Sequence, residues 1–330
     1  MIVDAHLDIA YNALLNGHDF QGTPPPDRLI SRSTLHSAGV GLVGATLMCA
    51  PAASRRFIRE LSGGDAESSL DLFYRTPRDA YLIAQAQVGY YRSVGLRLIS
   101  DRADLEEYAH GWKQGQLAAL LLLEGADAIE EPRQLPAWYR LGLRIVGLAW
   151  TRTRYSGGTG RPGGVTPRGR ELLAAMRRQR MILDISHMAD RAVADALDLW
   201  EGPIMASHSN ARALVPGDRQ ITDGTIRELA SRGGVIGISF FRGHLTSGKA
   251  GPEDVVRHVL HVARVAGSHQ HVAIGSDLDG GFPAADAAIG SLAEIGVVTD
   301  KLKEAFSAQE VEDIMGRNWI TFFERALPRG

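Results

Sequence analysis

Ala118-Ala-Leu-Leu-Leu-Leu-Glu124-Gly125 is an unbroken apolar run closed by an acid and a glycine. A run this short reads as a strand buried on both faces, the kind found in parallel sheets with helices around them. Glu124 is the anomaly. Burying a carboxylate without a partner costs several kcal/mol, so this acid needs a cation, either a basic side chain or a bridging place between two metal ions.

Working outward, similar short runs occur at 2–6, 41–48, 143–148, 181–186, 203–207, 234–240 and 271–276, which with 118–124 makes eight predicted strands. Amphipathic stretches at 79–93, 132–141, 166–179, 189–199, 223–232 and 251–266 alternate with them, and 307–326 closes the chain. Repeated strand–helix units predict a parallel sheet, and eight strands is the number that closes a (β/α)8 barrel. A ninth run, Leu96-Arg-Leu-Ile-Ser100, reads as an edge strand or part of the long second crossover. The Gly- and Pro-rich stretches 17–28 and 52–66 read as surface loops framing the active site.

The chain has 330 residues, near the size of such a barrel with insertions, and neither a repeat nor a low-complexity linker divides it, so a single domain over 1–330 is expected. Apolar residues make up 45% and charged residues 22%, enough for a large core. The formal net charge is −2 without a basic run, which argues against nucleic acid as a partner. No segment reaches the roughly twenty apolar residues of a membrane span, and the N-terminal residues lack a secretory pattern. A cytoplasmic protein without membrane contact is expected. The single cysteine, Cys49, ends an apolar run and reads as a small core residue.

His6, Glu124, His187, His208 and Asp277 each fall at or just beyond the C-terminal end of a different predicted strand, which is the catalytic face of a barrel. Alternate strand residues share a face, so Asp4, His6 and Asp8 point together if the strand extends that far, and His6 with Asp8 can hold one ion. Imidazole and carboxylate suit zinc. Two divalent cations would carry four positive charges against four negative ones from Asp8, Glu124, Asp277 and a hydroxide. A lone histidine at a strand end is usually a hydrogen-bonded structural residue; the joint placement is what points to metal.

These residues lie in Asp4-Ala-His6-Leu-Asp8, Leu123-Glu124-Gly125, Gly164-Val-Thr-Pro167-Arg-Gly-Arg-Glu171 and Leu183-Asp-Ile-Ser-His187. Ser207-His208-Ser-Asn-Ala-Arg212, Arg219-Gln220, Ser231-Arg-Gly-Gly-Val-Ile-Gly-Ile238 and Gly275-Ser-Asp277-Leu-Asp279-Gly280 follow in order. In this order and spacing the sequence resembles the membrane (renal) dipeptidase family, zinc peptidases of the metal-dependent amidohydrolase superfamily, over nearly the whole chain. The resemblance implies a binuclear zinc dipeptidase working through a metal-bridging hydroxide. His6, Asp8 and Glu124 would bind one Zn2+ and Glu124, His187 and His208 the other. Arg219 would grip the substrate carboxylate, and Asp277 would be the acid/base group. Family members are commonly dimers, so a homodimer is implied, with a dipeptide as the small-molecule partner.

The sequence departs from the family at one place. Well-studied members carry a His in a Leu-Thr-His segment after the fourth strand, whereas this chain reads Leu148-Ala149-Trp150. Trp150 donates one N–H and has no basic nitrogen. Trp150 is therefore placed at the substrate, with Arg152 or Arg154 supplying positive charge. The departure keeps two rivals open: an amidohydrolase acting on a cyclic amide, an ester or a lactone, and a catalytically silent metal-binding barrel.

Three signals are set aside. Gly158-Thr-Gly160-Arg-Pro-Gly163 has dinucleotide-motif spacing but not its strand–turn–helix context. His269-Gln-His271 starts the last strand, at the wrong end of a barrel. His258 and His261, three apart on a helix, read as outward-facing.

Overall fold

The computed structural model describes residues 1–24, 27–61 and 72–330. Strands are numbered in chain order: β1 (Ile2–Leu7), β2 (Val40–Met48), β3 (Arg97–Leu98), β4 (Ala118–Glu124), β5 (Leu143–Gly147), β6 (Ser156–Gly158), β7 (Arg161–Val165), β8 (Ile182–Asp184), β9 (Ile204–Met205), β10 (Ile236–Ile238) and β11 (Val272–Ile274). The main sheet is parallel in the order β1-β2-β4-β5-β8-β9. All eight expected strands are present. The last four are shortened at both ends: past their C-terminal ends the chain turns into the loops that carry the site, and before them residues such as Met181 and Gly234 still bond back to the preceding helices.

The short run at 96–100 contributes β3, which pairs with Ala118 and Ala119 of β4 before β5 takes over from Leu121. β10 and β11 form a separate parallel pair. A single bridge between Ala206 and Ile236 links β10 to the end of β9, and the Asp277 N–H donates to the His6 carbonyl at 3.2 Å. The observed architecture is α/β, with a continuous curled parallel sheet and this second strand pair beside it.

Alternation along each strand sorts the core in two. Val3, Ala5, Leu42, Leu120, Leu122, Ile145, Ile182, Met205 and Ala273 pack with Trp319, Phe322 and Phe323 of the last helix. Leu121, Leu123, Val43, Ala45, Val146 and Leu183 face the surrounding helices. Both faces are apolar and every residue of β4 is buried, as the opening run required. Full burial of each leucine contributes about 1.5–3 kcal/mol. Gly237 and Gly275 allow the strand ends to converge, since a Cβ at either would collide with the Ser207 carbonyl oxygen.

Pro77–Ser93 starts on Thr76 in a capping box with Asp79. Helices not anticipated are Ile9–Asn16, Arg32–Ala38, Arg55–Leu61, Arg102–Gly111, the single turn Arg242–Leu245 and Ile295–Leu302. Arg55–Leu61 corrects the expected loop at 52–66, whose residues from 62 onward lie outside the described residues. The closing stretch is Ala308–Glu312, a widened turn at Asp313–Arg317, and Asn318–Ala326.

His258 and His261 are a second correction, because both are buried. His258 Nδ1 accepts from the Ala211 N–H at 3.1 Å, and His261 Nε2 meets Asp223 at 2.8 Å. His269 pairs with Asp313 and Glu310 at 3.1 and 3.3 Å, away from the site. Cys49 is buried. Among the described residues no helix is long and apolar enough to cross a membrane.

Candidate metal centre

The strand ends deliver side chains to one place. His6 is the penultimate residue of β1. The strand stops at Leu7, so Asp8 follows outside it, capping Ile9–Asn16 without a side-chain bond to that helix. Asp4 does not join them; its carboxylate accepts the Ser276 N–H at 2.8 Å and the Ser276 hydroxyl. Glu124 is the last residue of β4, while His187, His208 and Asp277 each stand three residues past the ends of β8, β9 and β11.

Three sets converge, each with ligand atoms within 4.8 Å of one another: His6, Asp8 and Glu124; Glu124, His187 and His208; and His6, His208 and Asp277. Glu124 belongs to the first two. Its Oε2 lies 3.5 Å from His6 Nε2, and its Oε1 lies 3.1 Å from His187 Nε2 and 3.6 Å from His208 Nε2. His6 Nε2 is 4.0 Å from Asp8 Oδ1, and Thr46 donates its hydroxyl to that same oxygen.

A hydrogen-bond network behind the imidazoles fixes which nitrogens face forward. Asp184 accepts from the Ser207 hydroxyl at 2.6 Å. With its proton committed there, Ser207 Oγ is an acceptor for both His6 Nδ1 at 3.1 Å and His208 Nδ1 at 2.9 Å. His187 Nδ1 meets Thr159 Oγ1 at 3.0 Å. Protonated at Nδ1, His6 and His208 present Nε2 lone pairs to the centre.

The centre is therefore short of positive charge. His187 Nε2 and His208 Nε2 stand 3.0 Å apart beside Glu124 Oε1, and His6 Nε2 is buried without a hydrogen-bond partner. Burial holds both His187 and His208 well below the usual imidazole range, so both rings are neutral and each keeps one nitrogen free to accept. Imidazole nitrogens and carboxylate oxygens converging within 4.8 Å of one another fit divalent cations of the kind these groups bind.

Burial also acts on the acids. It pushes Glu124 up to about 8, and Asp277 likewise to about 8. Asp8 rises to about 7, through burial first and the neighbouring Glu124 second. His187 (φ 66°) and Asp277 (φ 61°) hold left-handed backbone conformations that side chains rarely adopt. Such strain costs on the order of 1–3 kcal/mol and concentrates at functional sites.

A cavity of about 640 Å³ opens onto this centre and is lined by Asp8, Glu124, His187, Arg219 and Asp277. Arg219 is buried and donates to the His208 carbonyl at 2.7 Å and Ser209 Oγ at 3.2 Å, while its Nε has no partner. Trp150 lines the wall, its ring 6.2 Å from that of His187. Arg152 is not brought to the cavity. It is exposed and its guanidinium donates to the Pro162 carbonyl at 2.5 Å. Arg154 is committed to Asp127 at 3.2 Å and to nearby carbonyls.

Sequence reading missed the supports Asp184, Ser207 and Thr159, and the lining residues Tyr11, Phe57, Arg161, Phe241, His244 and Phe282. Asp184 and Ser207 stood beside the histidines in recognised segments. The turn residues Thr159-Gly160 were the available signal for the β6–β7 hairpin carrying Arg161.

The sequence matches the membrane dipeptidase family (peptidase family M19) over residues 79–327, well over half of the chain. That match begins after His6 and Asp8, which the geometry adds to Glu124. Dipeptidase tcpJ of Claviceps purpurea is 35% identical over 239 residues, 68% of this chain and 56% of the fungal protein. The chain thus corresponds to little more than half of that relative's length. An uncharacterized Klebsiella pneumoniae protein encoded in the pqqA 5′ region is 32% identical over 68% of this chain and 87% of its own length. A Rhodobacter sphaeroides metallopeptidase, solved with a phosphinate mimic of the dipeptide L-Ala-D-Ala, superposes with a TM-score of 0.84 at 23% identity. It covers 98% of this chain and 99% of its own, and at that identity the likeness concerns the fold. The sequence match over most of its length makes this chain a member of the membrane dipeptidase family, peptidase family M19.

Proposed function

We propose that this chain is a binuclear zinc dipeptidase. The carrying observation is the crowding of His187 Nε2, His208 Nε2 and Glu124 Oε1, three metal-ligand atoms within 3.6 Å of one another. His6, Asp8 and Glu124 would hold one zinc ion, and Glu124, His187 and His208 the second. When bound, the ions supply Lewis acidity and a water-derived nucleophile at neutral pH.

The protein's own groups do the rest. Arg219, anchored by Ser209 and the His208 carbonyl, offers a guanidinium at the cavity to a substrate carboxylate. Asp277 is held in place by its left-handed backbone, and burial favours a proton on its carboxyl group. It can pass that proton to the leaving amine. Trp150, Phe57 and Phe282 give the cavity an aromatic wall against which a substrate side chain can pack.

We further read the strands as an eight-stranded barrel. The Ala206–Ile236 bridge would join β9 to β10, and the Asp277-to-His6 hydrogen bond would be the seam between the last strand and the first.

A second reading, hydrolysis of a lactone, ester or cyclic amide, is favoured by Trp150, which offers the cavity no basic nitrogen. One experiment separates the two. Purified protein, with and without added zinc, is assayed on L,L and L,D dipeptides beside lactones and N-acyl amino acids. Zinc-dependent dipeptide cleavage is expected, and turnover confined to lactones would replace the peptidase reading.

A further inference from the structure

The cavity holds two guanidinium groups in different situations. Arg219 is buried and tied down beside the metal-ligand residues. Arg161, the first residue of β7, lines the same cavity from the rim of the β6–β7 hairpin and is exposed. Among the described residues no carboxylate pairs with it. Asp218, which reaches the hairpin turn, accepts the Gly160 N–H at 2.8 Å instead.

The hairpin is fixed to the centre on its inner side. The Thr159 N–H donates to the Trp150 carbonyl at 3.2 Å, and Thr159 Oγ1 meets His187 Nδ1. Among the described residues the acids lining the cavity are Asp8, Glu124 and Asp277, all of them beside the candidate metal ligands. The rest of the wall mixes aromatic and apolar side chains such as Phe57, Trp150 and Phe282 with Ser54, Thr151 and His244. Among the described residues, a substrate entering this space meets one buried, committed guanidinium in Arg219 and one exposed guanidinium without a paired carboxylate in Arg161.

We propose that Arg161 selects dipeptides carrying a carboxylate side chain, so that the preferred substrates present two carboxylates, one to each arginine. This rests on the dipeptidase reading above. A guanidinium fork recognises a carboxylate through paired, charge-assisted hydrogen bonds, while an amide of the same shape gains little from it. Discrimination of roughly 2- to 5-fold is the size expected for a charge pair at an exposed rim. At an exposed rim it shrinks as salt is raised.

The test compares kcat/KM of the zinc-loaded protein on matched dipeptides that contain Glu or Gln, and Asp or Asn, in either position. The acidic member of a pair should be preferred, mainly through KM. Arg161→Ala should lower kcat/KM for acidic dipeptides more than for their amides, and Arg161→Lys should restore part of the preference. Arg161→Glu should turn it toward Lys-containing dipeptides. Equal kcat/KM for acid and amide in the unaltered protein, or equal losses on both in Arg161→Ala, would overturn the assignment. Failure of the unaltered protein to cleave any neutral or acidic dipeptide would instead bring down the dipeptidase reading and this inference with it.

Discussion

Glu124 turns its two carboxylate oxygens toward different imidazoles, Oε1 to His187 Nε2 at 3.1 Å and Oε2 to His6 Nε2 at 3.5 Å. The acid that closes β4 is thus common to both proposed ligand sets. Glu124→Gln keeps the shape and removes the charge, so it should weaken both halves of the centre. His6→Asn should weaken mainly one. Zinc titration followed by metal analysis distinguishes them: Glu124→Gln retaining two tightly held equivalents would refute the shared role.

Ser207 organises the imidazoles from behind. Ser207→Ala removes the acceptor for His6 Nδ1 and His208 Nδ1 and strips Asp184 of its hydroxyl partner. Loss of such a supporting group typically costs 10- to 100-fold in metal affinity, and that range is expected here. A buried acceptor left short of a partner should also lower stability by roughly 1–3 kcal/mol. Denaturant melts of the zinc-loaded and chelated forms report the two effects separately.

Stability and metal binding should be coupled to pH. Burial raises Asp8 to about 7 and Glu124 to about 8 in the folded chain. Above about pH 4 the unfolded chain loses these protons while the folded one keeps them, so these groups make the metal-free protein less stable as pH rises toward 8. Cations must displace the same protons, so binding tightens over that window. The difference in thermal midpoint between zinc-loaded and chelated protein should widen from pH 5 to pH 8. A constant difference would contradict it.

His258 acts in the opposite direction. Burial lowers it to about 4, and its Nδ1 accepts the Ala211 N–H. Between about pH 6.5 and 4 the unfolded chain takes up a proton that the folded chain refuses, so stability falls as pH drops. His258→Gln removes this penalty. Its destabilisation should be smaller at pH 5 than at pH 7.5, by roughly 2 kcal/mol.

What the sequence disclosed follows from where the signals are strong. Apolar runs such as 118–124 are continuous because both sides of the strand are covered, and all eight were readable. Arg102–Gly111 and Ile295–Leu302 went unread because each buries only two or three residues, chiefly against a neighbouring helix. His258 and His261 misled because a polar residue on a helix suggests solvent, yet their face of Pro252–Ala266 packs inward. At the centre, the ligand-type residues announced themselves by recurring at strand ends. Ser207 and Thr159 did not, because a small hydroxyl residue beside a strand is common and acquires meaning through the distant partners it meets. Arg152 was two residues from Trp150 in sequence, but its side chain turns back along the hairpin to Pro162.

The left-handed backbone at His187 and Asp277 has an evolutionary corollary. Glycine would relax either position at once, at the expense of the imidazole or the carboxyl group. A library screened for heat resistance alone would therefore drift toward inert proteins at these two sites, whereas a screen that also demanded turnover would keep them and harvest its gains elsewhere.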